Sequence, residues 1–281
     1  MSKGIKAAVL IVVTLICLFP LYWMLVGSLS NLYGILKIPP DLYPKPPTLK
    51  NYATILRINP LLGKWILNTV IVSTSIIGGN LVVTVMAAYG FAFYNFPGKR
   101  VILWAFLAML MITRYSQIIP LYVLVSKYKL TGLWAAIIPT IFNPANIYMA
   151  YLFMRQIPKD FLEAARIDGA GEWRTLWQIV VPLCKPIISA LLTFTGITAL
   201  GDYMWQVMVL QRTEQKTMLI GLMQSIRDYM VGNIGAGGGA YIKQYGYQMA
   251  VGIILFLPMF LIYLVSSKYF IGGLTVGGIK E

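Results

Sequence analysis

The sequence predicts an all-α integral membrane protein with six transmembrane helices, on three observations. Hydrophobic residues make up 58% of the 281 and charged residues 11%, where a soluble domain carries roughly 25% charged residues. Mean hydropathy is +0.73, so a soluble fold of this size could not hide its apolar surface and a bilayer is the expected solvent. Apolar runs near the ~20 residues needed to cross a membrane recur six times, at about 7–28, 66–93, 101–125, 132–154, 182–210 and 247–269. They leave no room for a soluble domain of ordinary size, so residues 1–281 are expected to form one transmembrane domain.

The elements follow in order. Lys3 and Lys6 precede an apolar run from Ala7 to Val26. That run exceeds the ~7–15 residues of a secretory signal and no small-x-small cleavage site follows, so an uncleaved anchor with a cytoplasmic N-terminus is expected. The next loop, 29–65, holds Pro39, Pro40, Pro44, Pro46 and Pro47, which suits an extended, surface-hugging connection rather than a helix. Six helices then place 94–100, 155–181 and the C-terminus inside, with 29–65, 126–131 and 211–246 outside. The last outer loop ends in the run Gly232 to Gly239, nearly free of side chains and expected to be flexible. No strand precedes that run and its spacing fits no dinucleotide-binding fingerprint, so a phosphate cradle is not read there.

Charge fixes orientation weakly. Eleven basic residues fall on each side, with three acidic residues outside and five inside, making the outer face +8 and the inner +6. Long loops weigh little in orientation, and Lys3 and Lys6 favour the N-terminus inside. The positive outer face fits lipid headgroups and a partner's acidic rim, or an anionic substrate. The absence of histidine excludes histidine-based acid–base chemistry and histidine metal sites. Cys17 in mid-membrane and Cys184 beside a charged loop are not expected to pair.

The inner loop 155–181 is the most informative segment. Glu163-Ala164-Ala165-Arg166-Ile167-Asp168-Gly169-Ala170-Gly171 is a charged, helix-forming island in an apolar chain. Pro158 is expected to open a short helix over Phe161–Ala170, Asp160 to cap it and Gly169 to end it. A second short helix is expected from about Glu172, stopping before Pro182. Ala164 and Ala165 leave the first helix thin, so another surface can approach it closely. Such a helix–glycine–helix elbow transmits force if a partner grips it; otherwise it is an amphipathic connector lying on the membrane.

These residues, with Ile179, Pro182 and Pro186, resemble the EAA loop of binding-protein-dependent ABC importer permeases. The similarity covers nearly the whole chain. Asn68-Thr69, Ile119-Pro120-Leu121-Tyr122, Arg155-Gln156-Ile157-Pro158 and the tail Gly273 to Lys280 resemble the carbohydrate (maltose-type, MalG-like) branch, which imports oligosaccharides. The resemblance implies a type I importer permease in the bacterial inner membrane, multi-pass, with both termini cytoplasmic. The loop helix, through Glu163, Ala164, Ala165, Asp168, Gly169 and Gly171, would dock in a cleft of an ATPase subunit. Closure of the paired ATPases would tilt the membrane helices from inward- to outward-facing. Gly277, Gly278 and Lys280 would make a second ATPase contact. The tail is no P-loop, because Ile279 separates glycine from lysine and no helix follows. The chain is therefore not expected to be an enzyme or to bind a cofactor; ATP and Mg²⁺ would sit on the partner. The implied partners are a second permease subunit in a heterodimer, two ATPase subunits, a solute-binding protein, the oligosaccharide and membrane lipid, with no nucleic acid.

The substrate path is read from charges inside the membrane. Arg114 lies about 13 residues into the third helix, hence about 20 Å from its inner end. Asp202 lies in the fifth, within Gly201 to Gln206. Charges at such depth face a cavity or each other. Either Arg114 and Asp202 pair to fasten the two helices, or Arg114 lines a pore and meets cargo. In the second case Tyr115, Gln117, Tyr203, Trp205 and Gln206 are its neighbours and the aromatic rings stack on sugars. Many maltose-type relatives carry an apolar or glycine-containing stretch where this chain has Thr113 to Gln117, Trp-Asn before Asp202, and proline at Gln206. With the positive outer face, these departures point to an acidic, alginate- or uronate-type oligosaccharide. The 211–246 loop is either a connector with Tyr241, Tyr245 and Tyr247 at the interface or a segment that enters the binding protein's cleft. The rivals are an ion-gradient-driven secondary transporter and an importer permease for another solute. The first needs inverted repeats or several embedded carboxylates, and only Asp202 is embedded.

Overall fold

The computed structural model describes residues 3–235 and 245–276, and among these the regular structure is entirely helical. In order the helices are α1 (Lys3–Ser28), α2 (Leu32–Leu36), α3 (Lys50–Ile58), α4 (Leu62–Phe93), α5 (Lys99–Leu110), α6 (Arg114–Lys127), α7 (Leu133–Ile141), α8 (Pro144–Met154), α9 (Asp160–Ile167) and α10 (Glu172–Thr175). A π-helical stretch, Leu176–Val180, joins α10 to α11 (Val181–Leu183). After it come α12 (Lys185–Gly201), α13 (Tyr203–Val209), α14 (Met218–Gly235) and α15 (Tyr245–Val276).

Among the described residues three helices are long and apolar enough to cross a membrane: Gly4–Ser28, Leu62–Phe93 and Tyr245–Ser267. Two further pairs qualify if each bent pair is one span, α5 with α6 at 111° and Glu172–Leu183 with α12 at 82°. The span expected at 132–154 is two short helices, α7 and α8. Asn143 accepts from the backbone N–H groups of Ala145 and Asn146 and Pro144 opens α8, so the chain restarts a helix there instead of continuing one.

The continuous helix expected over 101–125 is broken at 111–113, and the one expected over 182–210 bends by 82° at Cys184 and is interrupted again at Asp202. The loop 29–65 is not wholly extended, since it holds α3. The outer loop 211–246 contains an 18-residue helix, α14, which takes in Gly232 to Gly235; 236–244 lie outside the described residues.

The chain forms two compact units, Met1–Ile66 with Met218–Pro258 and Leu67–Thr217 with Met259–Glu281, so α4 and α15 are divided between them. In the first, Ile55, Leu62, Trp65, Met218, Leu222, Tyr247, Ala250 and Val251 form the core. The carbonyls freed at the end of α1 need partners. Asn51 donates to Ser28 O at 2.8 Å and Ser30 O at 3.2 Å, and thereby fastens α3 to α1. In the second unit the core runs from Val85, Tyr89 and Phe91 of α4 through Phe106, Ile147 and Met154 to Leu162, Leu176, Val180 and Leu191. A buried amide cluster crosses it. Asn80 donates to Ile141 O at 2.7 Å, covering a carbonyl exposed by the end of α7, while Asn146 donates to Asn80 Oδ1 at 2.7 Å and Thr195 Oγ1 at 2.9 Å. In an apolar interior such hydrogen-bonded amides fix which helices meet.

Candidate functional site: the elbow and the helix breaks

The elbow forms as α9, Gly169 and α10. Asp160 and Glu163 fill the first turn of α9 and Arg166 the last, each favourable to the helix dipole. Asp160 is the first helical residue rather than the cap; Lys159 holds that position and makes no side-chain cap bond. Gly169 ends the helix at φ +73°, a conformation that glycine adopts without Cβ strain. Ala170 N–H bonds Ala165 O at 2.9 Å and Gly169 N–H bonds Arg166 O at 3.1 Å, the paired bonds of a Schellman ending. The following helix runs through Pro182 to Leu183 and bends at Cys184, so it does not stop before Pro182.

The two alanines do not share a face. Leu162 is buried in the second unit's own core and Ala165 is buried as well, whereas Ala164 is exposed with Glu163 and Asp168. Around Ala164 stand Phe161, 50% exposed, and Ile167, 87% exposed. The outward surface is therefore a small residue between two uncovered apolar ones, edged by carboxylates. Gly171 is extended at φ −69°, ψ 162° and starts α10. Gly277, Gly278 and Lys280 lie outside the described residues.

One contact at the elbow was not foreseen. Tyr89, buried in α4, donates its hydroxyl to Glu172 Oε2 at 2.6 Å. Arg166 reaches the other oxygen, Oε1, at 3.2 Å. The Tyr89 hydroxyl first, then that of Tyr94 and the Arg166 guanidinium, hold the Glu172 carboxyl below the ordinary carboxylate value. Glu172 and Arg166 were visible in sequence as charges, but a tyrosine 83 positions away in an apolar run gave no sign of pairing.

Arg114 and Asp202 meet in an ion pair. Both stand at helix breaks: Thr113 is extended at φ −65°, ψ 143° and Arg114 opens α6, while Asp202 lies between α12 and α13. A bend of 111° before Arg114 means that rise along one straight helix does not measure its depth. Broken helices inside a membrane are tolerated where backbone groups find other partners. Gln117 donates to Ile112 O at 3.4 Å, and Gln206 bridges the Asp202 break by donating to Ala199 O at 2.9 Å. Thr217 in turn donates to Gln206 Oε1 at 2.6 Å.

This sorts the expected path residues. Arg114, Tyr115, Asp202 and Tyr203 line one cavity of about 290 Å³, and Arg114, Gln117 and Trp205 line another of about 350 Å³. Arg114 also reaches a small third cavity with Asn80, Thr195 and Asp202. Gln206 is buried and fully occupied by the break, which removes it from the path surface. Trp205 is 1% exposed and packs on Val125 and Ala135, which leaves little ring surface for stacking. Among the described residues no cluster of carboxylates or thiols could hold a metal ion.

Residues 79–275 match the family described as the binding-protein-dependent transport system inner membrane component. The chain is 31% identical over 272 residues to the galactooligosaccharides transport system permease protein GanQ of Bacillus subtilis, covering 94% of this chain and 91% of that one. It is 28% identical over 270 residues to the arabinooligosaccharides transport system permease protein AraQ of the same organism, covering 95% and 92%. Among solved structures, a chain of a bacterial ABC transporter involved in the import of the acidic polysaccharide alginate superposes with a TM-score of 0.81 at 21% identity, covering 96% of this chain and 99% of that one. A match over most of the length makes this chain a member of the binding-protein-dependent ABC importer permease family, an inner-membrane transport subunit with the type I permease fold.

Proposed function

We propose that this chain is one permease subunit of an ATP-driven importer that receives an oligosaccharide from a solute-binding protein and passes it into the cytoplasm by alternating access. The observation that carries the reading is the elbow: α9 is anchored by Leu162 and Ala165 on one face and presents Ala164 between Phe161 and Ile167 on the other. That surface suits a cleft in a cytoplasmic ATPase, with Glu163 and Asp168 at its edge. The carbohydrate cargo is supported by relatives named for galacto- and arabinooligosaccharides. A second permease subunit, two ATPase subunits and a binding protein complete the assembly, with both termini of this chain cytoplasmic.

The test is reconstitution. The purified chain alone should hydrolyse no ATP, and ATP-dependent oligosaccharide uptake should appear only with the ATPase, the second permease and the binding protein. ATP hydrolysis by the chain alone would overturn the reading. Ala164→Phe, which fills the outward surface, should cut uptake about tenfold or more.

An acidic cargo is the finer reading. Its support is Arg114, 47% exposed at the junction of three cavities whose lining includes no carboxylate except its own partner Asp202. A uronate carboxylate could take the place of Asp202 on the guanidinium. Arg114→Ala should lower uptake of a charged oligosaccharide about tenfold more than that of a neutral one of equal length, and equal losses would refute the acidic cargo.

A further inference from the structure

We propose that Tyr89, Glu172 and Arg166 form a clasp that makes α4 move with the elbow, so that Tyr89 and Glu172 are positioning residues for the coupling of ATP hydrolysis to transport. This rests on the importer reading above and assigns a role to residues outside both the docking surface and the cargo cavities.

The argument starts from what joins α9 to the rest of the chain. Covalently, α9 continues into α10 only through Asp168-Gly169-Ala170-Gly171, with Gly169 at φ +73°. Such a connection turns readily and transmits a pull poorly. Leu162 adds apolar contact with the core, which resists separation but is non-directional. The Glu172 carboxylate supplies direction. One oxygen accepts from Tyr89 of α4 at 2.6 Å, the other from Arg166 of α9 at 3.2 Å, and the residue itself begins α10. Three elements therefore meet on one side chain.

The two legs are unequal. Arg166 and Glu172 are 56% and 53% exposed, and a pair so open to water contributes little by itself. Tyr89 is 6% exposed, and its bond to a carboxylate is short and charge-assisted. The tyrosine leg is accordingly the stiff one, while Arg166 turns the carboxylate so that its second oxygen meets the tyrosine. Phe93 and Tyr94 pack on the Tyr89 ring at 5.2 Å and 5.9 Å between centroids, which limits how far the hydroxyl can swing away. A displacement of α9 by a partner is thereby passed to the end of the 32-residue α4 as well as through α10 to α12.

The reconstituted complex tests this, reading ATP hydrolysed per oligosaccharide imported. Tyr89→Phe, which removes one oxygen, and Glu172→Ala should each raise that ratio about threefold or more while the ATPase stays bound. Arg166→Ala should change it less than twofold, and Glu172→Gln, still an acceptor for Tyr89, should fall between. Hydrogen exchange on the purified chain reads the clasp without any transport: Glu172→Ala should speed amide exchange over residues 89–94, and Arg166→Ala should do so less. Wild-type protein that shows no ATP-dependent uptake would refute the importer reading. Coupled wild-type protein with an unchanged ratio in Tyr89→Phe and Glu172→Ala would refute the clasp, as would unchanged exchange at 89–94. Loss of ATPase binding in both variants would also refute it, because the contact would then serve folding rather than transmission.

Discussion

At the scale of single residues, the balance of burial across an ion pair decides which half is dangerous to remove. Asp202 is 10% exposed and Arg114 47%. Arg114→Ala strands a carboxylate away from water, which costs several kcal/mol in a fully buried pair and less at this exposure, about 1–3 kcal/mol. Asp202→Asn leaves a guanidinium that already reaches water, and should cost less than about 1 kcal/mol. Thermal unfolding in detergent should therefore rank Arg114→Ala below Asp202→Asn; the reverse order would show that the arginine is held by something other than the aspartate. Glu172 makes a pH prediction at the same scale. Its carboxyl is held below the ordinary value chiefly by the Tyr89 hydroxyl, so its folded-state pKa is lower than its unfolded one. The stability it adds is present above the ordinary carboxylate range and is lost as pH falls through the folded value. The melting difference between wild type and Glu172→Gln should be constant above about pH 5 and close below about pH 4. A difference that vanished on raising the pH would have the wrong sign for this contact.

At the scale of elements, close helix approach makes two glycines differ in kind. A Cβ at Gly221 of α14 would run into the six-membered ring of Trp65, which is itself buried. The rigid indole has no small adjustment available, so Gly221→Ala should destabilise by about 1–3 kcal/mol through overpacking. At Gly196 of α12 the nearest atom is the Ile262 Cδ1, at 3.0 Å from the added Cβ, the far end of a flexible side chain. Gly196→Ala should stay within about 1 kcal/mol of wild type, since better helix propensity offsets a small shift. Melting of both variants in detergent checks the contrast, and equal losses would mean that Trp65 yields as readily as Ile262. This element level is where sequence and structure part. Helices α1, α4 and α15 were legible because an apolar run of twenty residues has one economical use in a bilayer. The breaks at Thr113 and Asp202 were not, because hydropathy is blind to a local change in φ and ψ and no proline marks either point. Helix α14 was hidden by the opposite cause: its buried Met218, Ile220 and Leu222 are interleaved with Gly221, Gln224, Arg227 and Asp228, which reads as a loop. Of the candidate sites, the elbow was legible because glycine, alanine and carboxylates fall at fixed spacing within ten residues. The Tyr89–Glu172 bond and the Gln206 bridge join groups by folding alone, and no local pattern announces them.

At the scale of the whole molecule, net charge is the property to test. The chain carries +14, with 23 basic residues against nine acidic, and Arg114 is the cationic group at the junction of three cavities. A field of one sign over a surface raises the local concentration of opposite charge and speeds its capture. It acts through water, so salt shortens its reach from about 10 Å at 0.1 M to about 3 Å at 1 M. A contact between Arg114 and a carboxylate inside a cavity is screened far less, because little electrolyte enters. The two contributions therefore separate with ionic strength. With the binding protein pre-loaded with an acidic oligosaccharide, raising salt from 0.1 to 1 M in the reconstituted importer should slow uptake at limiting loaded binding protein several-fold and leave the rate at saturating loaded binding protein nearly unchanged. A neutral oligosaccharide of the same length should be slowed less at limiting loaded binding protein and be equally unchanged at saturation. In Arg114→Ala the salt sensitivity of capture should persist while the preference for the acidic sugar at saturation is lost. If both sugars slow equally with salt, the positive charge serves lipid or partner contacts, and the departures at Thr113 to Gln117 need an explanation other than an anionic cargo.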